Sequence, residues 1–436
     1  MTKVRAQNVY KVFGRREGEA VKRLSEGASA KEVKNLGTAA VIDASFDVNE
    51  GEIFVVMGLS GSGKSTLIRM LNGLWKPSSG SVFVEDTDLA KASDSQLRDI
   101  RRDKVSMVFQ HFALMPHRTV RENAAYALEV NGVPKSERDE RADKWLDTVG
   151  LEGWGDQYPG QLSGGMQQRV GLARALAAET DILLMDEAFS ALDPLIRREM
   201  QDQLIELQAT LGKTIIFITH DLNEAMYVGD RIAVMRDGRI VQIGTAEQIL
   251  TDPANDYVAQ FVQDVDRTRV LTASSVMEQP TAVVSSNAGP RRVVEELRKN
   301  QQSGVLVTSR DRKLLGYVSD DDAIAAAKKN VMSIEGLIRT DLLNTVAPDT
   351  PLVGLFAPSS GSPIPLAVVD EQGRLRGVIP RVALLASMAN LTNGEEHVEV
   401  VDENGRPHTG IPVASNGAPV SDAPQDLEPN AEEVHS

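Results

Sequence analysis

The sequence predicts an α/β chain in three parts: an open, helix-flanked sheet over residues 1–265, a smaller pair of repeated βαββα units over 272–330 and 331–390, and an acidic tail over 391–436. Three observations predict it. Short β-rich runs alternate with stretches of helical period through the first part, the pattern of a sheet covered by helices. A glycine-centred pattern then recurs at an offset of 61 residues. Finally, the composition turns to Gly, Pro, Asn, Ser and acid after Met388, with too few large apolar residues to offset chain entropy, so a disordered tail is expected.

In the first part the strand-like runs are Glu52–Met57, Val105–Phe109, Asp181–Met185, Thr214–Thr219 and Arg231–Met235. An insertion sits early, from about Arg15 to Gly37. There Ser29-Ala30-Lys31-Glu32 reads as a capping box and Gly37 as a C-terminal stop, which predicts a short helix between them. In the second part Val305-Leu306-Val307-Thr308 lies eleven residues before Gly316, and Leu366-Ala367-Val368-Val369 eleven before Gly377. Each glycine is followed by a short β-like piece and an Ala/Leu-rich helix, Asp322–Lys329 or Val382–Met388. Two such units packed as a pair would bury what neither buries alone.

Composition narrows the classes of function. The chain has 436 residues, 42% hydrophobic and 25% charged, the usual balance of a soluble globular protein. It holds no cysteine, which excludes a disulfide framework, a thiolate metal site and a cysteine nucleophile. No apolar run approaches the ~18 residues of a membrane span, and Met1-Thr2-Lys3-Val4-Arg5 leads into no apolar segment, so a cytoplasmic protein is expected. The net charge is −15, with ten acidic residues against Arg406 alone in the tail. Nucleic acid is therefore not an expected partner, because neutralising phosphates takes clustered Lys and Arg.

The chemistry starts at Gly58-Leu59-Ser60-Gly61-Ser62-Gly63-Lys64-Ser65, a complete Walker A motif with a strand before it and a helical pattern after it, and Gly58, Ser60, Gly61, Ser62, Gly63, Lys64, Ser65 and Thr66 are the residues expected to bind the nucleotide. Glycines let backbone N–H groups converge on phosphate oxygens, and the helix adds its positive end. Lys64 is placed to reach the β- and γ-phosphates and Ser65 to coordinate Mg²⁺. The run Asp181–Met185 ends in Asp186-Glu187. Asp186 is placed to hold Mg²⁺ as in a Walker B motif, and Glu187 to act as general base on the attacking water.

Leu162-Ser163-Gly164-Gly165-Met166-Gln167-Gln168-Arg169, lying between those motifs, resembles the LSGGQ signature of ABC ATPases, with Met166 in place of the usual Gln. The resemblance implies an ABC ATPase fold with a helical subdomain. It also implies that Ser163, Gly164 and Gly165 face ATP bound to a second copy, and hence a homodimer. Other positions match in order. Gln110 matches the Q-loop glutamine that senses Mg²⁺ and water, Ser190-Ala191-Leu192-Asp193 the D-loop at the dimer interface, and His220 the switch histidine that contacts the γ-phosphate. Phe13 sits where the family stacks an aromatic ring on adenine.

The run Asp181–Arg197, the segment Phe109–His117, the Met-containing signature, the early insertion and the paired C-terminal units narrow the resemblance to ATP-binding subunits of glycine betaine/proline importers of the ProV/OpuA type, over about residues 5–390. It implies an ATP hydrolase with Mg²⁺, peripheral on the cytoplasmic face of the plasma membrane. The partners implied are an integral-membrane permease, docked near Phe112–Arg121, and an extracytoplasmic substrate-binding protein. The C-terminal units resemble tandem CBS domains. The first has Gly316-Tyr317-Val318-Ser319-Asp320-Asp321-Asp322, like the family's glycine, hydroxyl and ribose-binding Asp; the second, Gly377-Val378-Ile379-Pro380-Arg381-Val382-Ala383, lacks both hydroxyl and Asp. In related importers the pair senses ionic strength or binds a cyclic dinucleotide. Contact of Arg291, Arg292, Arg298, Lys299, Arg310, Arg312 and Lys313 with anionic lipid would give salt sensitivity.

Two rival readings are a soluble ABC ATPase coupled to no transporter and a nucleotide sensor with a vestigial ATPase. The first usually carries two ABC domains or a long coiled-coil insertion, which this chain lacks, and intact catalytic positions oppose the second.

Overall fold

A computed structural model describes residues 1–388, apart from His111, Phe112, Ala191, Asp264, Leu342 and Pro363. The expected tail, 391–436, lies outside the described residues, as do the first residue of the expected docking segment and Ala191 of the D-loop match.

Strands β1 (Thr2–Phe13), β2 (Thr38–Asn49), β3 (Ile53–Met57), β4 (Ser79–Val84), β5 (Thr87–Asp88), β6 (Val105–Val108), β7 (Ile182–Asp186), β8 (Thr214–Thr219), β9 (Arg231–Arg236) and β10 (Arg239–Gly244) form two sheets. One is four-stranded, in the order β2-β1-β4-β5, and its pairs are antiparallel. The other is six-stranded, β10-β9-β3-β8-β7-β6, and parallel except at β10. The five β-rich runs read from the sequence are β3, β6, β7, β8 and β9.

Alternation along the parallel strands divides the core. On β3, Phe54 and Val56 pack towards the four-stranded sheet with the helix Lys64–Leu71, while Ile53, Val55 and Met57 pack on the opposite face with the helices. Both faces are apolar, as a sheet covered on both sides requires. The second face continues into a helical subdomain, where Val120, Ala124, Ala142, Leu146 and Val170 join the same core through the helices Val120–Ala124, Lys135–Thr148 and Gly164–Ala177.

The helix expected from Ser29 is absent. Its capping bonds form, with Ser29 N donating to Glu32 Oε2 at 2.7 Å, but they open onto turns closed by Lys34 N→Lys31 O and Leu36 N→Val33 O. The helix of the insertion is instead Glu17–Ser25, which begins without a side-chain cap and so gave no start signal. Val33 and Leu36 are buried against its Ala20 and Leu24, so a small satellite core decides the geometry and overrides a short segment's local preference.

The C-terminal pair comprises two three-stranded sheets, β11 (Val283–Ser285), β12 (Gly304–Thr308) and β13 (Leu314–Ser319), then β14 (Thr345–Val346), β15 (Leu366–Val369) and β16 (Leu375–Ile379). Each has one parallel and one antiparallel pair, and the registers repeat: Val307 opposes Gly316 as Val368 opposes Gly377. The units are joined reciprocally. Leu314 N donates to Gly373 O and Leu375 N to Arg312 O, both at 3.0 Å, while Tyr317 bridges Arg339 as Val378 bridges Glu278. Each crossing segment passes over the other unit's glycine. A Cβ on Gly316 would lie 2.5 Å from Arg339 O, and one on Gly377 2.9 Å from Met277 Sδ.

The two units differ in what they are packed on. Val293, Leu297, Val305 and Val307 of the first make a separate core, closed by Ile334 from the start of the second. Leu352, Leu355, Leu366, Val368 and Ile379 of the second belong instead to the core of the parallel sheet, reached through Leu250, Val258, Val262 and Leu271.

Candidate active site

β3 delivers the chain into the loop Gly58–Gly63, which packs so closely that two positions admit only glycine. A Cβ on Gly58 would lie 2.3 Å from Met235 O, and one on Gly63 (φ +101°) 2.1 Å from Ala40 O. Lys64 opens the helix Lys64–Leu71 with its side chain only 4% exposed. Its ammonium donates to Gly58 O at 2.8 Å and to Leu59 O at 3.2 Å, and lies 3.9 Å from Glu187 Oε1. Burial pulls the Lys64 pKa below its ordinary value, against the attraction of Glu187 and Asp186. Ser62 Oγ is buried with no protein partner, a spare hydroxyl under the loop.

The carboxylates arrive from the end of β7. Asp186 accepts from Ser65 Oγ at 2.9 Å. Burial pushes its carboxyl above the usual range, although the Ser65 hydrogen bond and the Arg69 charge pull the other way. At Glu187 the backbone turns to φ +49°, pinned by its own N–H to Ile218 O. Glu187 Oε2 accepts from Gln110 Nε2 at 3.0 Å and lies 3.3 Å from His220 Nδ1. Gln110 follows β6 and His220 follows β8, so the carboxyl ends of three adjacent strands meet at one carboxylate. Beside it is a cavity of about 570 Å³, lined by Ser60, Gly61, Gly63, Lys64, Ser65 and Thr66 on one side and by Gln110, Glu187 and His220 on another.

Five of the sequence-derived residues lie elsewhere. Ser163 caps the helix Gly164–Ala177, accepting from Met166 N; Ser163 and Gly164 are exposed, Gly165 half-buried, and none of the three lines the cavity. Asp193 caps the helix Pro194–Leu211 through Leu195 N and Ile196 N. Phe13, 42% exposed, rests edge-on against Trp75 with ring centroids 5.1 Å apart; its strand partner Thr38, not Phe13, reaches the cavity. The lining by Thr38, Ala39 and Ala40 has no motif of its own and was missed, as was Arg69, whose charge acts on Asp186.

Two further cavities bear on partners. One of about 440 Å³ lies beside Phe109, Ala113, Met115 and Tyr126, of which Ala113 and Met115 belong to the segment expected to dock a permease. Another, of about 510 Å³, opens between the two C-terminal units, beside Tyr317, Ser319 and Asp322 of the first and Arg339, Ile364 and Pro365 of the second. There Ser319 Oγ donates to Asp322 Oδ2 at 2.7 Å, and the Arg339 guanidinium holds the Asp341 carboxyl below its usual range. In the second unit Arg381, which the repeat aligns with Asp320, donates to the carbonyls of Ser359, Ser360 and Ser362.

The pattern of the family described as ABC transporter matches residues 41–190, and that of the CBS domain matches 273–329. The glycine betaine transport ATP-binding protein OpuAA of Bacillus subtilis is 50% identical over 389 residues, 89% of this chain and 92% of that protein. The glycine betaine/carnitine transport ATP-binding protein GbuA of Listeria monocytogenes is 49% identical over 391 residues, 89% and 98% of the two chains. The glycine betaine/proline betaine ATP-binding protein ProV of Salmonella typhimurium is 46% identical over 391 residues, 88% and 97%. A Walker-type site of this geometry, with identity of that order along nearly the whole of each relative, places the chain in the family of CBS-bearing ATP-binding subunits of glycine betaine-type ABC importers, which bind ATP and hydrolyse it to drive uptake.

Proposed function

We propose that this subunit drives import of glycine betaine, proline betaine or a related quaternary amine, working as a homodimer on the cytoplasmic face of the membrane. The observation that carries the reading is the meeting of Gln110, Glu187 and His220 beside the Lys64–Ser65 end of the cavity. Glu187 is the base that takes the proton of the attacking water, Gln110 and His220 hold its carboxylate towards the γ-phosphate, and Lys64 neutralises phosphate charge. Ser65, Asp186 and Gln110 offer the hard oxygen donors that suit Mg²⁺, and the buried Asp186 carboxyl, pushed towards neutrality, fits a cation beside it. Bound there, the ion would screen the β- and γ-phosphate oxygens.

A signature turned outward, with Ser163 and Gly164 exposed away from the cavity, supports a second copy as the source of the missing wall. A permease supplies the membrane path, since among the described residues no helix is long and apolar enough to cross a bilayer; the apolar cavity at Met115 and Tyr126 fits its cytoplasmic segment. An extracytoplasmic binding protein delivers the substrate. The division into 1–265, 272–330 and 331–390 gives the regulatory ligand to the cleft at Ser319 and Asp322, because the second unit has Pro380 and Ala383 at the matching positions and so neither the hydroxyl nor the carboxylate. A nucleotide in that cleft, or anionic lipid against the pair's basic residues, would convey the signal.

The test is uptake of labelled glycine betaine at high and low osmolarity in cells lacking the gene, restored with wild type or Glu187→Gln. Rescue by wild type alone is expected, with hydrolysis in the purified variant lower by about 10²- to 10⁴-fold and ATP still bound. Uptake unchanged by deletion, with no redundant carrier, would refute the substrate; full turnover in Glu187→Gln would refute the base.

A further inference from the structure

Three segments enclose the carboxylate of Glu187, and a single side chain outside the cavity joins two of them. The chain after Glu187 folds back on itself, with Ser190 N and Oγ both donating to Glu187 O, at 3.2 and 2.9 Å. It then enters the helix Pro194–Leu211, whose first turn carries Arg197. Arg197 Nη2 donates to Leu192 O at 3.1 Å, and its Nη1 donates to Asp221 Oδ2 at 3.2 Å.

Asp221 immediately follows His220 and is held on every side. Its N–H donates to Thr219 Oγ1 at 2.9 Å, and its Oδ1 caps the next helix by accepting from Asn223 N and Glu224 N. The backbone carrying His220 is therefore set by its neighbours, Thr219 buried in β8 and Asp221 tied to Arg197. A guanidinium suits this task because its planar fork presents separate N–H groups to a carbonyl and a carboxylate, where an ammonium is a compact point donor. The Arg197 Nε is buried without a partner, so the posture is not the one that best satisfies the side chain by itself.

We propose that Arg197 is a positioning residue for hydrolysis: by holding Leu192 O and the Asp221 carboxylate together, it keeps His220 against Glu187. It touches neither the cavity lining nor the reacting atoms, and the inference rests on the proposed roles of Glu187 and His220.

The test uses the full chain and compares Arg197→Met, Arg197→Lys, Asp221→Asn and the double Arg197→Met/Asp221→Asn with wild type and Glu187→Gln, measuring kcat and KM for ATP and the affinity for a fluorescent ATP analogue. Asn at 221 retains the capping oxygen, so the helix start is preserved. Loss of one charge-assisted hydrogen bond predicts a kcat lower by about tenfold or more in Arg197→Met and Asp221→Asn. KM and analogue affinity are expected to stay within about twofold, since the Lys64 loop is untouched, and Arg197→Lys to recover part of kcat. The double variant is expected to be no worse than the worse single, because both remove one link. A wild-type kcat in Arg197→Met, losses that multiply in the double, or a KM rising as kcat falls overturns the proposal. Should Arg197→Met fail to fold, Arg197→Lys and Asp221→Asn decide by the same split. An active Glu187→Gln refutes instead the reading of the site on which the proposal rests.

Discussion

Because the strands of the second C-terminal unit share their core with the ATPase while the strands of the first pack with the helix Pro290–Asn300 in a separate core, the same substitution should have different reach in the two cores. Leu355 (0% exposed) lies in the shared core and Leu297 (4% exposed) in the separate one. Leu→Ala removes about three buried carbons at ~0.8 kcal/mol each, and the cavity left behind brings the cost to about 2–5 kcal/mol at either site. The tryptophans, Trp75, Trp145 and Trp154, all lie within residues 1–265, so their fluorescence reports unfolding of the ATPase part alone. Leu355→Ala is expected to lower the tryptophan-detected melting temperature by at least ~4 °C, at about 2–4 °C per kcal/mol for a unit of this size, with heat inactivation of ATP hydrolysis moving in parallel. Leu297→Ala is expected to leave the tryptophan transition in place while loosening the first unit, read by proteolysis after residue 272. Equal shifts from the two variants, or none from Leu355→Ala, would refute the shared core.

Two more outcomes follow from geometry. Lys3 Nζ binds Glu85 at 2.9 Å and Asp181 at 3.2 Å, tying β1 to the β4–β5 turn and to the start of β7. Lys3 holds the Glu85 carboxyl below its usual 4.5, so the pair's contribution is present above that value and is lost as pH falls through the lower, folded-state one. Glu85→Gln should cost about 0.5–1 kcal/mol near neutrality, and its melting curve should converge on wild type in acid; a gap independent of pH would contradict the sign. A Phe13 ring that swings from Trp75 onto adenine when ATP binds predicts that Phe13→Ala raises KM for ATP by about two- to tenfold through lost stacking, with kcat retained. An unchanged KM would leave Phe13 as a packing partner of Trp75 alone.

What was legible at the active site was what is contiguous. The loop Gly58–Ser65, the pair Asp186-Glu187 and the signature carry their chemistry in adjacent residues, and the strand or helix each requires sits next to it. The repeat was legible for a similar reason, since Gly316 and Gly377 each mark a place where a segment of the other unit crosses closely. The insertion shows the limit: the capping box at Ser29 forms its bonds, yet the helix stands at Glu17–Ser25, because burial of Val33 and Leu36 outweighs one local signal.

By itself the sequence determined the α/β class, the strands that carry the site, the nucleotide chemistry and the paired C-terminal units. Only the tertiary structure decided that Thr38–Ala40 form a wall of the cavity, that Arg197 joins Leu192 to Asp221, that Arg381 binds the carbonyls of Ser359, Ser360 and Ser362, and that the second unit shares the ATPase core. The physical reason is range. Backbone spacing and local hydrogen bonding fix what a motif can hold, whereas those four features arise where side chains distant in sequence compete for the same buried volume or the same polar partner, and that competition is settled only when the chain packs.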